Sequence, residues 1–234
     1  MKFDQHFMTD RDLICKIVDY LEIKENEDIV EIGGGKGALT EELIKKTGKI
    51  TVIEIDIKLY QYLKDKFPDF DIINDNILHF YRLEYDKIVG NLPYSIIEGL
   101  MRILVNSDFK LAVFSVPKDF MNVKLLGLLM NIFFEIERLD IIPRKAFNPM
   151  PKVTSEIIRI KLRNLNEKES IIKKIYLQSD KKLRNAIRDT HRQLYGLSKK
   201  HGEEKIPKLN FLNKKVYALN FEEWRELIDA VAGI

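Results

Sequence analysis

The feature of this sequence that most constrains its fold is a glycine-rich turn between a strand pattern and a helical pattern. Residues 28–32 (DIVEI) form a short apolar strand pattern, and residues 33–37 (GGGKG) follow it directly. Over residues 38–46 the apolar side chains recur with the period of an α-helix. A second strand pattern occupies residues 50–55 and a second helical pattern residues 59–67. This order predicts a βαβ unit, and therefore two parallel strands of one sheet.

The same alternation continues through the first two thirds of the chain. Four more strand patterns lie at residues 70–73, 87–89, 111–116 and 157–162. They predict an α/β fold with a Rossmann-like, doubly wound and mostly parallel sheet, in which ligands bind at the carboxyl ends of the strands. Only helical patterns follow residue 164, at 167–178, 181–192 and 221–231. We therefore expect a sheet domain over residues 1–163 and a small helical domain over residues 164–234.

Charge is distributed unevenly along the chain. The formal net charge is only +3, but residues 144–200 hold 16 Lys and Arg against 5 Asp and Glu, a net charge of +11. Residues 1–143 hold 18 Lys and Arg against 25 Asp and Glu, a net charge of −7. A basic block of this kind attracts polyanions and favours a nucleic-acid partner. Taken alone, an ordinary lysine-rich surface explains it equally well.

Composition argues against several other classes of protein. A single cysteine, Cys15, cannot form an internal disulfide, and the 4 histidines have no metal-ligand spacing, so we expect no structural metal. No apolar run approaches the roughly 18 residues of a membrane span. The N-terminus is not that of a signal peptide, and these features together predict a cytoplasmic protein.

Polar groups follow the first three predicted strands. At Gly33 and Gly35 the backbone can approach a ligand closely, and the helix that follows has unpaired N–H groups at its start. Glu54 ends the second strand, where an acid can accept hydrogen bonds from two ribose hydroxyls, and Asp75 can accept one from an adenine amine. The turn also satisfies the G-x-G-x-x-A fingerprint, so it does not distinguish a nicotinamide cofactor from S-adenosylmethionine. Asp75, read alone, is equally an ordinary turn residue, and a solvated strand-end carboxylate is the less favoured alternative for Glu54.

The tetrapeptide Asn91-Leu92-Pro93-Tyr94 follows the fourth strand. The proline fixes the backbone, so an amide, a carbonyl and an aromatic ring are presented together. The Asn91 side-chain oxygen and the Leu92 carbonyl can hold the two hydrogens of an exocyclic amine while Tyr94 stacks on its base. No strong base is needed, because the proton becomes acidic once a methyl group has arrived. An ordinary proline turn is the alternative interpretation.

At these residues the chain resembles a known family. Residues 31–40 (EIGGGKGALT), Glu54, Asp75 and the Asn-Leu-Pro-Tyr loop look like the successive motifs of the KsgA/Erm family of rRNA adenine N6,N6-dimethyltransferases. Three further segments are similar to family elements: residues 3–8 (FDQHFM), 147–155 (FNPMPKVTS) and 181–187 (KKLRNAI). Together these segments cover nearly the whole chain in the family's order.

The resemblance implies a class I methyltransferase with S-adenosylmethionine as cofactor. The cofactor-binding residues that it implies are Gln5, His6, Met8, Gly33, Gly35, Glu54, Asp75 and Asn91. The catalytic residues would be Asn91, Leu92, Pro93 and Tyr94, which hold the target base. The substrate-binding residues would be Phe147, Lys152, Lys181, Lys182, Arg184 and Arg188.

The segment at residues 181–187 and the short C-terminal domain favour the KsgA branch. That branch dimethylates two adjacent adenosines in the 3′-terminal hairpin loop of small-subunit rRNA. We therefore expect small-subunit rRNA or an assembling small subunit as partner, a role in ribosome biogenesis and a monomeric protein. Erm-type modification of a large-subunit adenosine and a non-catalytic RNA-binding assembly factor remain the alternatives. Hydride transfer leaves the Asn-Leu-Pro-Tyr loop unexplained.

Overall fold

A computed structural model describes residues 5–231, apart from the side chain of Tyr94. The strands are β1 (Phe7–Met8), β2 (Ile29–Ile32), β3 (Ile50–Glu54), β4 (Asp71–Asn74), β5 (Lys87–Asn91), β6 (Leu111–Pro117), β7 (Phe134–Ile142), β8 (Phe147–Asn148) and β9 (Ser155–Leu162). The helices are α1 (Arg11–Asp19), α2 (Ala38–Leu43), α3 (Ile57–Lys66), α4 (Ile97–Asn106), α5 (Lys124–Phe133), α6 (Glu167–Tyr176), α7 (Leu183–Tyr195), α8 (Lys199–Glu204) and α9 (Phe221–Val231).

Seven strands form one sheet in the order β4-β3-β2-β5-β6-β9-β7. Strand β9 runs antiparallel to the other six strands of this sheet, which all run in the same direction. The predicted doubly wound, mostly parallel sheet is therefore confirmed. The chain moves outward from β2 through β3 to β4 and then returns to the other side of β2 as β5. The strand order thus reverses between β2 and β5, and the loops diverge there to form a crevice at the carboxyl ends of the strands.

Helix α1 helps to close one face of the sheet. Asp10 caps the helix by accepting a hydrogen bond from the N–H of Leu13 at 3.2 Å. The apolar side of α1, which includes Ile14 and Ile17, is buried in the same core cluster as Val89 and Val113 of β5 and β6. This core supports the strands whose ends form the crevice. Sequence analysis identified neither α1 nor the short strand β1.

Strand β7 was also missed by the sequence analysis. It is an edge strand, and charged side chains at Glu135, Glu137, Arg138 and Asp140 interrupt its apolar pattern. The pairing with β9 shifts register between Arg138 and Ile141. Charges and irregular pairing on an edge strand discourage pairing with another chain. Apolar and polar residues alternate over residues 134–137 and 139–141, but two consecutive charged residues, Glu137 and Arg138, interrupt the alternation by which a strand is recognised in a sequence.

The chain divides into two compact units. The described residues of Met1–Asn122 and Phe134–Leu162 form the sheet unit, and those of Val123–Phe133 and Arg163–Ile234 form the helical unit. The structure thus groups α5 with the C-terminal helices, although the predicted boundary at residues 163 and 164 would leave it with the sheet. In the helical unit the ring of Tyr176 packs against those of Phe133 and Trp224, with distances between ring centroids of 5.5 Å and 6.1 Å.

Within residues 5–231, no helix is long and apolar enough to cross a lipid bilayer. Over the same range, no group of three or more His, Cys, Asp and Glu side chains is placed to hold a metal ion.

Candidate active site

The glycine turn lies at the carboxyl end of β2. Gly33 and Gly35 have φ angles of 77° and 55°, a region that disfavours residues with a side chain. The Gly33 N–H donates to the Ile53 carbonyl at 2.8 Å and ties the turn to β3. A Cβ atom built on Gly33 meets no atom within 4 Å, whereas one on Gly35 would lie 3.3 Å from the ring of Phe7. The turn therefore borders open space at Gly33 and is covered by β1 at Gly35.

Glu54 ends β3 and braces this turn. Its Oε2 accepts a hydrogen bond from the Gly35 N–H at 2.8 Å, and its Oε1 accepts one from the Asp56 N–H at 2.9 Å. The residue is only 4% exposed, so the carboxylate is held inside the turn. A carboxylate has about four acceptor positions, and these two bonds use two of them. Glu54 thus anchors the loop and retains the capacity to accept two hydroxyl groups.

Glu31 is a second buried acid beneath the turn, and the sequence analysis gave it no role. It is 1% exposed, and its Oε2 accepts a hydrogen bond from the Thr40 hydroxyl at 2.6 Å. Burial raises the pKa of Glu31 to about 8, and the nearby Glu54 contributes to the increase, while the Thr40 hydrogen bond opposes it. A glutamate inside an otherwise apolar strand was the sequence signal for this group.

Asp75 lies just beyond the carboxyl end of β4. Its Oδ1 accepts hydrogen bonds from the His79 ring at 2.8 Å and from the Asn76 N–H at 2.7 Å. These two bonds hold the pKa of Asp75 below its ordinary value. The side chain is 42% exposed, in contrast to Glu54. Because both bonds use Oδ1, Oδ2 is the oxygen that a ligand amine can reach. His79 was not identified from the sequence.

Three segments far apart in the sequence meet at Asn91. Its Nδ2 donates to the His6 carbonyl at 2.9 Å, and the His6 Nδ1 donates to the Pro149 carbonyl at 2.8 Å. Strands β1 and β8 pair antiparallel beside these bonds, with Phe7 opposite Asn148. The N-terminal segment, the end of β5 and the segment around Pro149 therefore form one assembly at the crevice.

The hydrogen bond to His6 fixes the orientation of the Asn91 amide. A carbonyl oxygen only accepts hydrogen bonds, so Asn91 must direct its NH₂ group toward His6. The side-chain oxygen Oδ1 is then available to accept a hydrogen bond from a ligand. The Leu92 N–H donates to the Ser115 carbonyl at 3.0 Å. A Cβ on Gly90 would lie 2.6 Å from the Ile32 carbonyl oxygen, so glycine is required where β5 approaches β2.

The remaining residues of the predicted loop and N-terminal segment differ in exposure. Pro93 is exposed, and the side chain of Tyr94 lies outside the described part of the chain, so its predicted stacking stays a prediction. Gln5 is half-buried. Met8 and Phe147 are buried in the core of the sheet unit, next to each other across β1 and β8.

Phe147 therefore has a packing role in addition to any contact with RNA, and sequence analysis did not foresee it. Lys152 is exposed and lies in the segment between β8 and β9. Its predicted contact with the substrate stays a prediction.

The four basic residues expected to bind RNA together are not equally available. Lys181 forms an ion pair with Asp189 at 2.8 Å. The Arg184 guanidinium lies 3.0 Å from Glu203. Arg188 lies 3.0 Å from Asp189 and 3.8 Å from Glu203. Lys182 is exposed and forms no ion pair with another described residue.

The prediction that several of these cations contact phosphates together stays a prediction, and the ion pairs bear on how readily each could do so. Three of the four are already compensated by two acids within the helical unit. To bind a phosphate, Lys181, Arg184 and Arg188 must therefore leave or share these acids.

Fold and site together define a class I methyltransferase that uses S-adenosylmethionine. The sheet order, the glycine turn bordering open space and the strand-end carboxylate at Glu54 suit a ligand with ribose hydroxyls and an adenine amine. The sequence matches the family model described as ribosomal RNA adenine dimethylase over residues 1–229, and the chain belongs to this family.

Curated relatives agree with this assignment. The chain is 31% identical to a probable ribosomal RNA small subunit methyltransferase A of Methanococcoides burtonii, over 97% of this chain and 92% of the relative. It is 33% identical to the ribosomal RNA small subunit methyltransferase A of Borreliella burgdorferi, over 78% of this chain and 73% of the relative.

Solved structures share the fold. The 23S rRNA methyltransferase ErmE matches with a TM-score of 0.63 and 20% identity, over 97% of this chain and 99% of its own. A dimethyladenosine transferase from Plasmodium falciparum matches with a TM-score of 0.64 and 21% identity, over 95% of this chain and 96% of its own. The protein is thus an rRNA adenine dimethyltransferase with S-adenosylmethionine as methyl donor, and the nicotinamide alternative is excluded.

Proposed function

We propose that the protein dimethylates N6 of two adjacent adenosines in the 3′-terminal hairpin loop of small-subunit rRNA. The observation that carries the proposal is the orientation of the Asn91 carboxamide. Its Nδ2 donates to the His6 carbonyl, so Oδ1 points away from His6. The naming of the curated relatives supports the small subunit as the source of the RNA. The protein would act as a monomer in the cytoplasm, during assembly of the small ribosomal subunit.

The cofactor would lie along the strand ends of the sheet unit. Glu54 would accept hydrogen bonds from the two ribose hydroxyls, and Asp75 would accept one from the adenine amine through Oδ2. Gly33 and Gly35 would allow the backbone to approach the cofactor closely. The N-terminal residues Gln5, His6 and Met8, together with Asn91, would line its remaining side.

The target amine would be held by the end of β5. An exocyclic amine is a weak nucleophile because its lone pair is conjugated with the ring. Asn91 Oδ1 and the Leu92 carbonyl would accept its two hydrogens, Pro93 would keep the loop rigid, and Tyr94 would stack on the base. S-adenosylmethionine, when bound, would supply the electrophilic methyl group, and its sulfonium sulfur would become a neutral thioether on transfer. The methylated nitrogen then releases its proton to water, so no residue is required as a strong base.

Positioning accounts for the rate under this proposal. Fixing two reacting groups in a productive geometry contributes several kcal/mol to a reaction of this kind, roughly 7–11 kcal/mol in the best intramolecular cases. Adenosines in a hairpin loop are already partly unstacked, so placing one in the crevice costs less than extruding a base from a duplex. Phe147 and Lys152 would contact the RNA near the target base, and the basic residues of the helical unit would contact phosphates.

The test is methyl transfer from radiolabelled S-adenosylmethionine to isolated small and large ribosomal subunits, followed by nucleoside analysis. We expect N6,N6-dimethyladenosine in the small-subunit rRNA, mapped to its 3′-terminal hairpin. Label in the large-subunit rRNA instead would favour the Erm-type activity. Binding to small subunits without transfer would favour an assembly factor, and Asn91→Ala protein provides the background value.

A further inference from the structure

Ser115 lies beside Asn91 at the crevice. Strands β5 and β6 are parallel, and Ser115 is the register partner of Asn91. Register partners in neighbouring strands direct their side chains to the same face of a sheet, with the strands roughly 4.8 Å apart. Two residues earlier on the same face, Val89 and Val113 belong to the core cluster. Ser115 therefore places a hydroxyl where the core ends and the crevice begins, one strand from the Asn91 carboxamide.

The hydroxyl of Ser115 is buried without a partner. The residue is 1% exposed, and among residues 5–231 its Oγ has no hydrogen-bond partner. Burying an unpaired hydroxyl is unfavourable. The backbone carbonyl of Ser115 does accept the Leu92 N–H, but any residue offers that carbonyl. The flanking residues Phe114 and Val116 are buried and apolar, so packing does not explain a serine at this position.

We propose that Ser115 is a positioning residue for the methyl transfer, whose hydroxyl donates to Oδ1 of Asn91 in the loaded site. The proposal rests on the proposed function, because it assigns Asn91 Oδ1 to the target amine. With Nδ2 held by His6 and Oδ1 held by Ser115, the carboxamide could not rotate away from the amine. Oδ1 has two lone pairs, so it can accept from both the hydroxyl and the amine.

The test compares Ser115→Ala with a matched buried serine. Ser107 is 5% exposed, and its hydroxyl donates to the Ile103 carbonyl at 2.7 Å and accepts the Leu83 N–H at 2.8 Å. We expect Ser115→Ala to lower the single-turnover rate about tenfold, the effect of one hydrogen bond, while its melting temperature is unchanged or higher. Ser107→Ala should do the opposite, with a lower melting temperature and an unchanged rate.

Calorimetry and a double-mutant cycle complete the experiment. The dissociation constant of S-adenosylmethionine should be unchanged in Ser115→Ala protein. If Ser115 acts through Asn91, adding Ser115→Ala to Asn91→Ala should cause no further loss of rate. An unchanged rate in the Ser115→Ala single variant, or additive losses in the double variant, would overturn the proposal. Failure of the unchanged protein to methylate any rRNA would overturn the proposed function and this inference with it.

Discussion

The sheet unit and the helical unit hold their charged groups in different ways. In the crevice of the sheet unit, Glu54 is held by two backbone N–H groups, and Glu31 is buried behind it. In the helical unit, Asp189 and Glu203 pair with several Lys and Arg side chains near the surface. Two backbone N–H groups hold Glu54 in one geometry, and the short side chain of Thr40 holds Glu31, whereas the long side chains of the helical unit can exchange partners. The crevice is thus built for precise placement, and the helical surface for adjustable attraction.

The largest expected effect is on the pH dependence of the free energy of unfolding, which should differ between Glu31 of the sheet unit and Asp189 of the helical unit. The pKa of Glu31 is raised from 4.5 to about 8, so between these values the unfolded chain is ionised while the folded chain keeps its proton. The contribution of Glu31 to stability is therefore greatest below pH 4.5 and is lost as the pH rises to about 8. One pKa unit corresponds to about 1.4 kcal/mol, so we expect wild type to lose roughly 3–5 kcal/mol relative to Glu31→Gln between pH 5 and pH 9.

Urea unfolding of both proteins at pH 5, 7 and 9, without cofactor, measures this difference. Asp189→Asn is the control from the helical unit. Lys181 and Arg188 hold the pKa of Asp189 below its ordinary value, although burial opposes them, so its contribution is lost only as the pH falls below about 4. Parallel stability profiles for wild type and Glu31→Gln would show that Glu31 ionises normally.

The second prediction concerns chemistry in the crevice. Asn91→Ala removes the acceptor for the target amine, so the single-turnover rate of methylation should fall by about 10² or more while RNA affinity changes little. Asn106→Ala is a suitable control, because Asn106 also donates to a carbonyl, that of Tyr81 at 3.2 Å, but away from the strand ends. A rate within threefold of wild type for Asn91→Ala would exclude the proposed positioning role.

The third prediction tests the ribose contact. Glu54→Ala should weaken S-adenosylmethionine binding by about 1.5–3 kcal/mol, the range for hydrogen bonds to a charged group. The variant should also be less stable than wild type, since the N–H groups of Gly35 and Asp56 lose their acceptor. Asp56→Ala controls for stability, because Asp56 caps α3 through the N–H groups of Lys58 and Leu59. Calorimetry showing equal affinity for wild type and Glu54→Ala would remove Glu54 from the binding site.

The two units also differ in how well the sequence predicted them. The glycine turn and the strand-end acid were predictable because local sequence determines backbone turns and strand ends. The hydrogen bond between Asn91 and His6 was not, because it joins residues 85 positions apart. Glu31 and Ser115 went unnoticed because burial and register cannot be read from residue type. In the helical unit, a charge count predicted a basic surface but not the pairing of Arg184 with Glu203, which depends on the arrangement of α7 and α8.

The smallest expected effect concerns this helical surface. Lys182 has no acidic partner among the described residues, whereas Lys181 must leave Asp189 before it can bind a phosphate. Lys182→Ala should therefore flatten the slope of log K against log[salt] by about 0.7–0.9 if it contacts one phosphate, and Lys181→Ala should flatten it less. Glu203→Gln should strengthen RNA binding, because it releases Arg184 and leaves Arg188 paired with Asp189 alone. Filter binding at several salt concentrations measures these slopes, with thermal melts and S-adenosylmethionine affinity as controls. An unchanged slope in stably folded Lys182→Ala protein would place the RNA on another surface, and equal slopes for both lysine variants would mean that the ion pair with Asp189 does not restrain Lys181.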